Sequence, residues 1–102
     1  MLTATVAGRI AGEPHAFTDQ NRGRTVQFSV FARPFGMQED QFVLVRVTGK
    51  QVSFLEQTLS RSTFVTCFGG LYPCLLDNGK PVLVMRANRV ELMGELPSSV
   101  AA

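Results

Sequence analysis

Hydrophobic and polar residues alternate along most of this chain. In "VQFSVFAR", Val26, Phe28, Val30 and Ala32 fall on one side of an extended strand, and Gln27, Ser29, Phe31 and Arg33 on the other. The stretch "QFVLVRVTG" repeats the pattern. Val43, Val45 and Val47 face one way, while Phe42, Leu44, Arg46 and Thr48 face the other. In "STFVTCFGGLY", Val65, Cys67, Gly69 and Leu71 share a face opposite Phe64, Thr66 and Phe68. "TATVAGRI" reads as a first strand in which Gly8 permits a bend, and "PVLVMRANRVELM" as a last one. Only "KQVSFLEQTLSR" leaves the period of two: Val52, Leu55 and Leu59 sit at i, i+3 and i+7, one stripe of a short amphipathic helix.

The intervening pieces are connections. "AGEPHAFTDQNRGRT" is polar and breaker-rich, which predicts a long loop. "PFGMQED" is a second connection, and "PCLLDNGK" predicts a turn with Gly79 at positive φ. Gly69-Gly70 fits a bulge in a closing sheet. Residues 1–94 form one domain on this reading, and 95–102 a short flexible tail. Five strands with one short helix between the third and fourth predict an all-β, five-stranded OB-fold Greek-key barrel. Closure solves the edge-strand problem that five short strands otherwise face.

Size and composition fit that barrel. A chain of 102 residues can bury about 65% of its extended-chain surface, enough for a core without staples. Net charge is only +2, yet Arg supplies eight of the ten cations. Arg forks onto phosphates and stacks on flat rings, which Lys does not. Cys67 and Cys74 are too few for a disulfide framework or zinc site, so free thiols are expected. The start has no basic region followed by an apolar block, and no apolar run reaches the length of a membrane helix. The expectation is a soluble, cytoplasmic protein.

The outward sides of the second and third strands are unusual, since Phe31, Arg33, Phe42 and Arg46 lie there and Phe35 follows the turn. Barrels of this type take oligonucleotides or oligosaccharides across those two strands. Sequence-tolerant binding of single strands needs flat apolar platforms and cations. The candidate platforms are Phe31, Phe35 and Phe42. The candidate phosphate contacts are Arg33 and Arg46 on the strands, Arg22 and Arg24 in the first long loop, Lys50 after the third strand, and Lys80 in the last hairpin. The rings could instead cap the barrel rim, and any single cation could be a solvated surface charge; the clustering favours function. Phe64 and Phe68, outward on the fourth strand, predict a subunit interface, with a second nucleic-acid patch as the weaker alternative. Cys67 reads as a small core residue and His15 as a surface loop residue. The acids are scattered, with no spacing that points to a metal or to acid–base catalysis, and "GRIAG" lacks the lysine and helix of a phosphate loop. No enzyme activity and no cofactor are expected.

Several segments, in order, carry a family resemblance: "VAGRIAGEP", "QFSVFARPF", "FVLVRVTGK", "FGGL" and "ANRVELMG". Over residues 1–94 the chain resembles the bacterial single-stranded DNA-binding protein family. The resemblance implies an OB-fold, a dimer or tetramer, and sequence-tolerant binding of single-stranded DNA in replication, recombination or repair. It also implies that Phe42 matches a base-stacking aromatic and that Phe35 lies near another. The chain departs from the pattern in having no Trp, and in placing Thr48 and Leu76 where the family often has aromatics. The family's acidic, Phe-ending tip is absent, so enzyme recruitment through it is not carried over. The chain is also similar to the primosomal replication protein N family, which implies a dimeric accessory protein bridging replication proteins. A third reading is an OB-fold protein-interaction module with weak DNA binding.

Overall fold

The computed structural model describes residues 2–21, 23–32, 41–59 and 63–95. Five strands and one helix follow in the order β1 (Leu2–Asp19), β2 (Gly23–Ala32), β3 (Gln41–Thr48), α1 (Gln51–Thr58), β4 (Thr63–Leu75) and β5 (Pro81–Glu95). The strands close into a barrel in the order β1-β2-β3-β5-β4. β3 and β5 run parallel, and the other neighbours are antiparallel. This is the five-stranded OB-fold barrel with its helix between β3 and β4.

The alternation fills the interior as the sequence predicts. Val26, Phe28 and Val30 from β2, Val43, Val45 and Val47 from β3, and Val65 and Cys67 from β4 are buried together. Helix α1 closes one opening of the barrel with Val52 and Leu55, and Leu59 follows at its C-cap, also buried. That helix is shorter than the stripe predicted, because Leu59 is already extended at ψ 135°. Residues 60–62, which the predicted stripe and the start of the fourth strand include, lie outside the described residues, as does the tail from 96 on.

The first long loop is the main correction. Residues 11–19 continue β1 and pair with β2, from Ala11 opposite Ser29 through His15 opposite Gln27 to Asp19 opposite Gly23. The breakers are absorbed locally: between Ala11 and His15 the register shifts, and Gly12 there has φ 77°. A bulge of this kind bends and twists a strand instead of ending it. The bend lets one strand serve two neighbours, with Leu2–Arg9 on β4 and Arg9–Asp19 on β2. His15 is therefore a strand residue, and Arg24 lies in β2, not in a loop.

The β4–β5 pair is also longer than predicted, reaching Leu75 opposite Pro81. The turn beyond it is closed by Leu76 N–H donating to the Lys80 carbonyl and Gly79 N–H to that of Leu76, both at 2.8 Å. The predicted irregularity at Gly69 is present as a register shift between Phe68 and Gly69. Its cause is close packing: a Cβ at Gly69 would overlap the Arg86 carbonyl oxygen, as one at Gly8 would overlap that of Phe31.

Candidate nucleic-acid interface

The residues that alternate with the core form an outer surface, and the pairing register arranges them in rows across the strands. In the first row Arg9, Phe31 and Phe42 stand on β1, β2 and β3. In the next come Ala11, Ser29, Leu44, Val84 and Tyr72, reaching β5 and β4. A third row holds His15, Gln27, Arg46 and Arg86. The last holds Phe17, Thr25 and Thr48, of which Thr25 is buried. On β5, Met85 and Ala87 join the core, so Val84 and Arg86 take the opposite parity; Val84 is nevertheless buried, and Arg86 is half-buried.

The first row supplies platforms. Phe31 is 37% exposed and Phe42 43%. Their rings meet edge to face, with centroids 6.1 Å apart and planes at 68°. That geometry suits the ring quadrupoles and braces each ring against the other. A second aromatic pair, His15 and Phe17, is stacked at 5.8 Å and 24° in the lower rows. In the row of His15 stands Arg46, whose Nε donates to Gln27 Oε1 at 2.9 Å. This bond ties Arg46 to the outer face of β2 and leaves its Nη groups to other acceptors. Arg86 is its register partner on β5.

A cleft of about 330 Å³ opens beside these two arginines, lined also by Tyr72, Thr48, Asn88 and Asp19. Among the described residues, ion pairs are made by Arg24 and Arg89, not by Arg46 or Arg86. The surface can therefore offer rings to flat apolar ligands and guanidinium groups to anions, side by side.

Not every predicted site residue joins this surface. Phe31, Phe42 and Arg46 do. Arg22, Arg33 and Phe35 lie outside the described residues. Arg24 shares the inward parity of Val26 and leaves the rim toward α1, where its Nε donates to Glu56 Oε1 at 2.8 Å. Lys50 is the exposed N-cap residue of α1. Lys80 is exposed after the β4–β5 turn, at the end of the sheet where β3 begins, since Val43 pairs with Leu83. Neither lysine adjoins Arg46 in the register.

Phe64 and Phe68 do point outward, opposite Arg9 and Thr5 of β1 in the register, so Phe64 adjoins the first row through Arg9. Both rings are half-buried. Arg89 lies over the Phe68 ring at 4.2 Å from its centroid and also approaches Glu91 at 3.4 Å. Burial pushes the Cys67 thiol up to about 12, so it remains protonated and unreactive inside the core. Cys74 is exposed.

No protein-family model matches the chain, and no curated protein matches it. Solved structures do. The mitochondrial single-stranded DNA-binding protein of S. cerevisiae superposes with a TM-score of 0.73 at 17% identity, over 93% of this chain and 98% of that one. The small single-stranded DNA-binding protein of Streptomyces coelicolor gives 0.72 at 18%, over 89% and 91%. The second single-stranded DNA-binding protein of Mycobacterium smegmatis gives 0.71 at 20%, over 89% and 87%.

The chain has their fold.

Four residues of the outer surface escaped the sequence reading: Arg9, Phe17, Tyr72 and Arg86. Tyr72 had a signal, since it shares the parity of Phe64 and Phe68. So had Phe17, in the alternation of "HAFTD", which the preceding Gly and Pro masked. Arg86 had none, because only the parallel pairing of β5 with β3 brings it beside Arg46.

Proposed function

We propose that the protein binds single-stranded DNA, with little regard to base sequence, across the outer face of β2 and β3. The observation that carries this reading is the half-exposed Phe31–Phe42 pair set in the same surface as Arg46. Every base has a face to stack, and each base–aromatic stack contributes about 1–3 kcal/mol. Cations beside the rings hold the phosphates, at a cost that rises with salt. The solved structures sharing the fold are of single-stranded DNA-binding proteins, which supports the same ligand here. Replication, recombination and repair are the processes that expose such strands. The reading requires no cofactor and no catalysis. A cytoplasmic location accords with two free thiols.

The protein assembles, on this reading, as a dimer or tetramer. Support comes from β4 and β5, which carry the half-buried, outward Phe64 and Phe68 and the exposed Met93. Anisotropy of labelled oligo-dT against a duplex of equal length, at several salt concentrations, tests the binding. Tighter binding of the single strand, weakening with salt, is expected. Equal affinity for the duplex, or a salt slope near zero, refutes it. The lack of Trp favours a second reading, an OB-fold interaction module that uses the same face for protein and binds DNA weakly. It predicts that oligo-dT binding is weak and unaffected by changes at Phe42.

A further inference from the structure

From the cleft beside Arg46 and Arg86 we infer a seat for one internal nucleotide of the bound strand, with its phosphodiester on the two guanidinium groups and its base against Tyr72. The inference rests on the reading of the outer face as a single-strand site, and it extends that site across β5 to β4. Three observations carry it. First, the parallel register sets Arg46 and Arg86 directly beside each other. Two cations held on neighbouring strands repel, and an anion between them relieves that repulsion. Second, the cleft is concave and about 330 Å³ in volume, at the small end of the range for ligand pockets. Third, its walls differ in chemistry. Arginines form one side, and Tyr72 supplies the flat ring.

The remaining polar groups fix which part of the nucleotide goes where. Asp19 lines the same cleft, and one of its carboxylate oxygens accepts the Asn21 backbone N–H at 2.8 Å. A carboxylate repels a phosphate, so the phosphate belongs at the arginines and the base, whose ring N–H or amino groups donate, toward the Asp19 end. Register supplies the room: the residue on β4 opposite Arg86 is Gly70, which has no side chain to cover the guanidinium.

The distance from the Phe31–Phe42 pair also fits one continuous strand. Phe42 and Arg46 are four residues apart on β3, about 13 Å. A single strand spans that with a few nucleotides, so stacking on the phenylalanines and the seat in the cleft are occupied by one chain. A terminal phosphate could reach the same arginines. An internal diester is inferred because the surface continues past the cleft on both sides, to Phe31 and Phe42 in one direction and to His15 and Phe17 in the other.

The test uses the full chain and labelled oligo-dT of graded length, with and without a 5′-phosphate, at several salt concentrations. The variants are Arg86→Gln, Tyr72→Ala and Phe42→Ala, each checked for folding by its melting curve. With long oligo-dT, Arg86→Gln is expected to lower affinity about tenfold, from the loss of a charged hydrogen bond, and to make the log–log salt slope shallower by about 0.7. Tyr72→Ala is expected to lower affinity about tenfold with the slope unchanged. With oligomers too short to reach from Phe42 to the cleft, both variants are expected to match the parent, while Phe42→Ala still binds more weakly. If Phe42→Ala weakens binding but Arg86→Gln and Tyr72→Ala match the parent at every length, the cleft inference is overturned and the broader reading stands. If affinity depends mainly on the 5′-phosphate, the internal seat is likewise overturned. Failure of the parent itself to bind oligo-dT overturns both. Should Tyr72→Ala not fold, Tyr72→Leu, which removes the ring but keeps an apolar side chain, gives the same comparison.

Discussion

Replacing Phe42 by Ala separates what the ring does for the barrel from what it does for a ligand. Phe42 is 43% exposed, so just over half of its surface is already covered in the free protein. Full burial of a Phe side chain stabilises by about 1.5–3 kcal/mol, and roughly half of that is at stake, about 1 kcal/mol. The edge-to-face contact with Phe31 at 6.1 Å adds about 0.5–1.5 kcal/mol. Phe42→Ala is thus expected to cost about 1.5–2.5 kcal/mol of stability, a fall of about ten degrees in melting temperature for a domain of this size. Binding of oligo-dT is expected to weaken by about 1–3 kcal/mol, with the salt slope kept, because a stacked ring displaces no counterions. Val30→Ala is the control. Val30 is fully buried, so its truncation costs stability by about 1–3 kcal/mol yet touches no outer-face group. Melting curves and anisotropy titrations on both variants decide the matter. If Phe42→Ala binds oligo-dT like the parent while melting lower, the ring is only a rim cap, and the outer face of β2 and β3 is not the DNA site.

Three further outcomes follow from the packing. Gly69→Ala would drive a methyl into the Arg86 backbone; overpacking of this kind typically costs about 1–3 kcal/mol, and a melting temperature equal to the parent's would contradict the close crossing of β4 and β5. Phe68→Glu removes the ring beneath Arg89, a contact worth about 0.5–1 kcal/mol at an exposed site, and is expected to lower the assembly mass in light scattering; an unchanged mass refutes an interface at Phe68. The Cys67 thiol is held up to about 12 in the fold, above the free value of about 8.5. Its contribution is therefore complete below about pH 8.5 and is lost as pH rises toward 12, by about 1.4 kcal/mol per unit. Cys67→Val should flatten this alkaline loss relative to the parent in urea melts, and equal slopes would refute the burial argument.

What could be read from the sequence was whatever rests on local alternation. The inward sets of β2, β3 and β4, the stripe of α1 and the irregularity at Gly69 all follow from a period of two or of 3.6, and each is where the pattern puts it. The second half of β1 was hidden, because Gly12 and Pro14 carry the composition of a loop while tertiary pairing with β2 keeps the chain extended around them. Loop composition reports what a free chain prefers, and a bulge pairing on both sides overrides it. Arg24 shows a second limit. Its place near the site in sequence gave it a phosphate role, whereas its parity sends it to Glu56 on α1. Arg46 and Arg86, forty residues apart in the chain, could not be joined without the parallel pairing that brings β5 beside β3.

The placement of the arginines also bears on how binding and assembly coexist. The outer surface of the barrel carries its arginines in two different settings. In one, Arg46 and Arg86 lie among Phe31, Phe42 and Tyr72, and neither is engaged by the carboxylates of the ion pairs described. In the other, Arg89 is drawn to Phe68 and Glu91, so its charge is spent within the protein. A net charge of +2 averages over these two situations and understates the first. Steering of an anionic strand depends on the local field rather than on the sum. A half-neutralised setting with two phenylalanines suits a protein surface, where isolated charges cost more than they return. A single strand seated on Phe42, Arg46 and Arg86 would leave Phe68 and Arg89 open, so one subunit can hold DNA and a neighbour together. Salt should then act unequally on the two. Raising ionic strength weakens the DNA contact in proportion to the phosphates neutralised, while an interface built on Phe64 and Phe68 persists. Light scattering and oligo-dT anisotropy measured across the same salt series test this, and a mass that falls in step with DNA affinity would show that the two contacts are not independent.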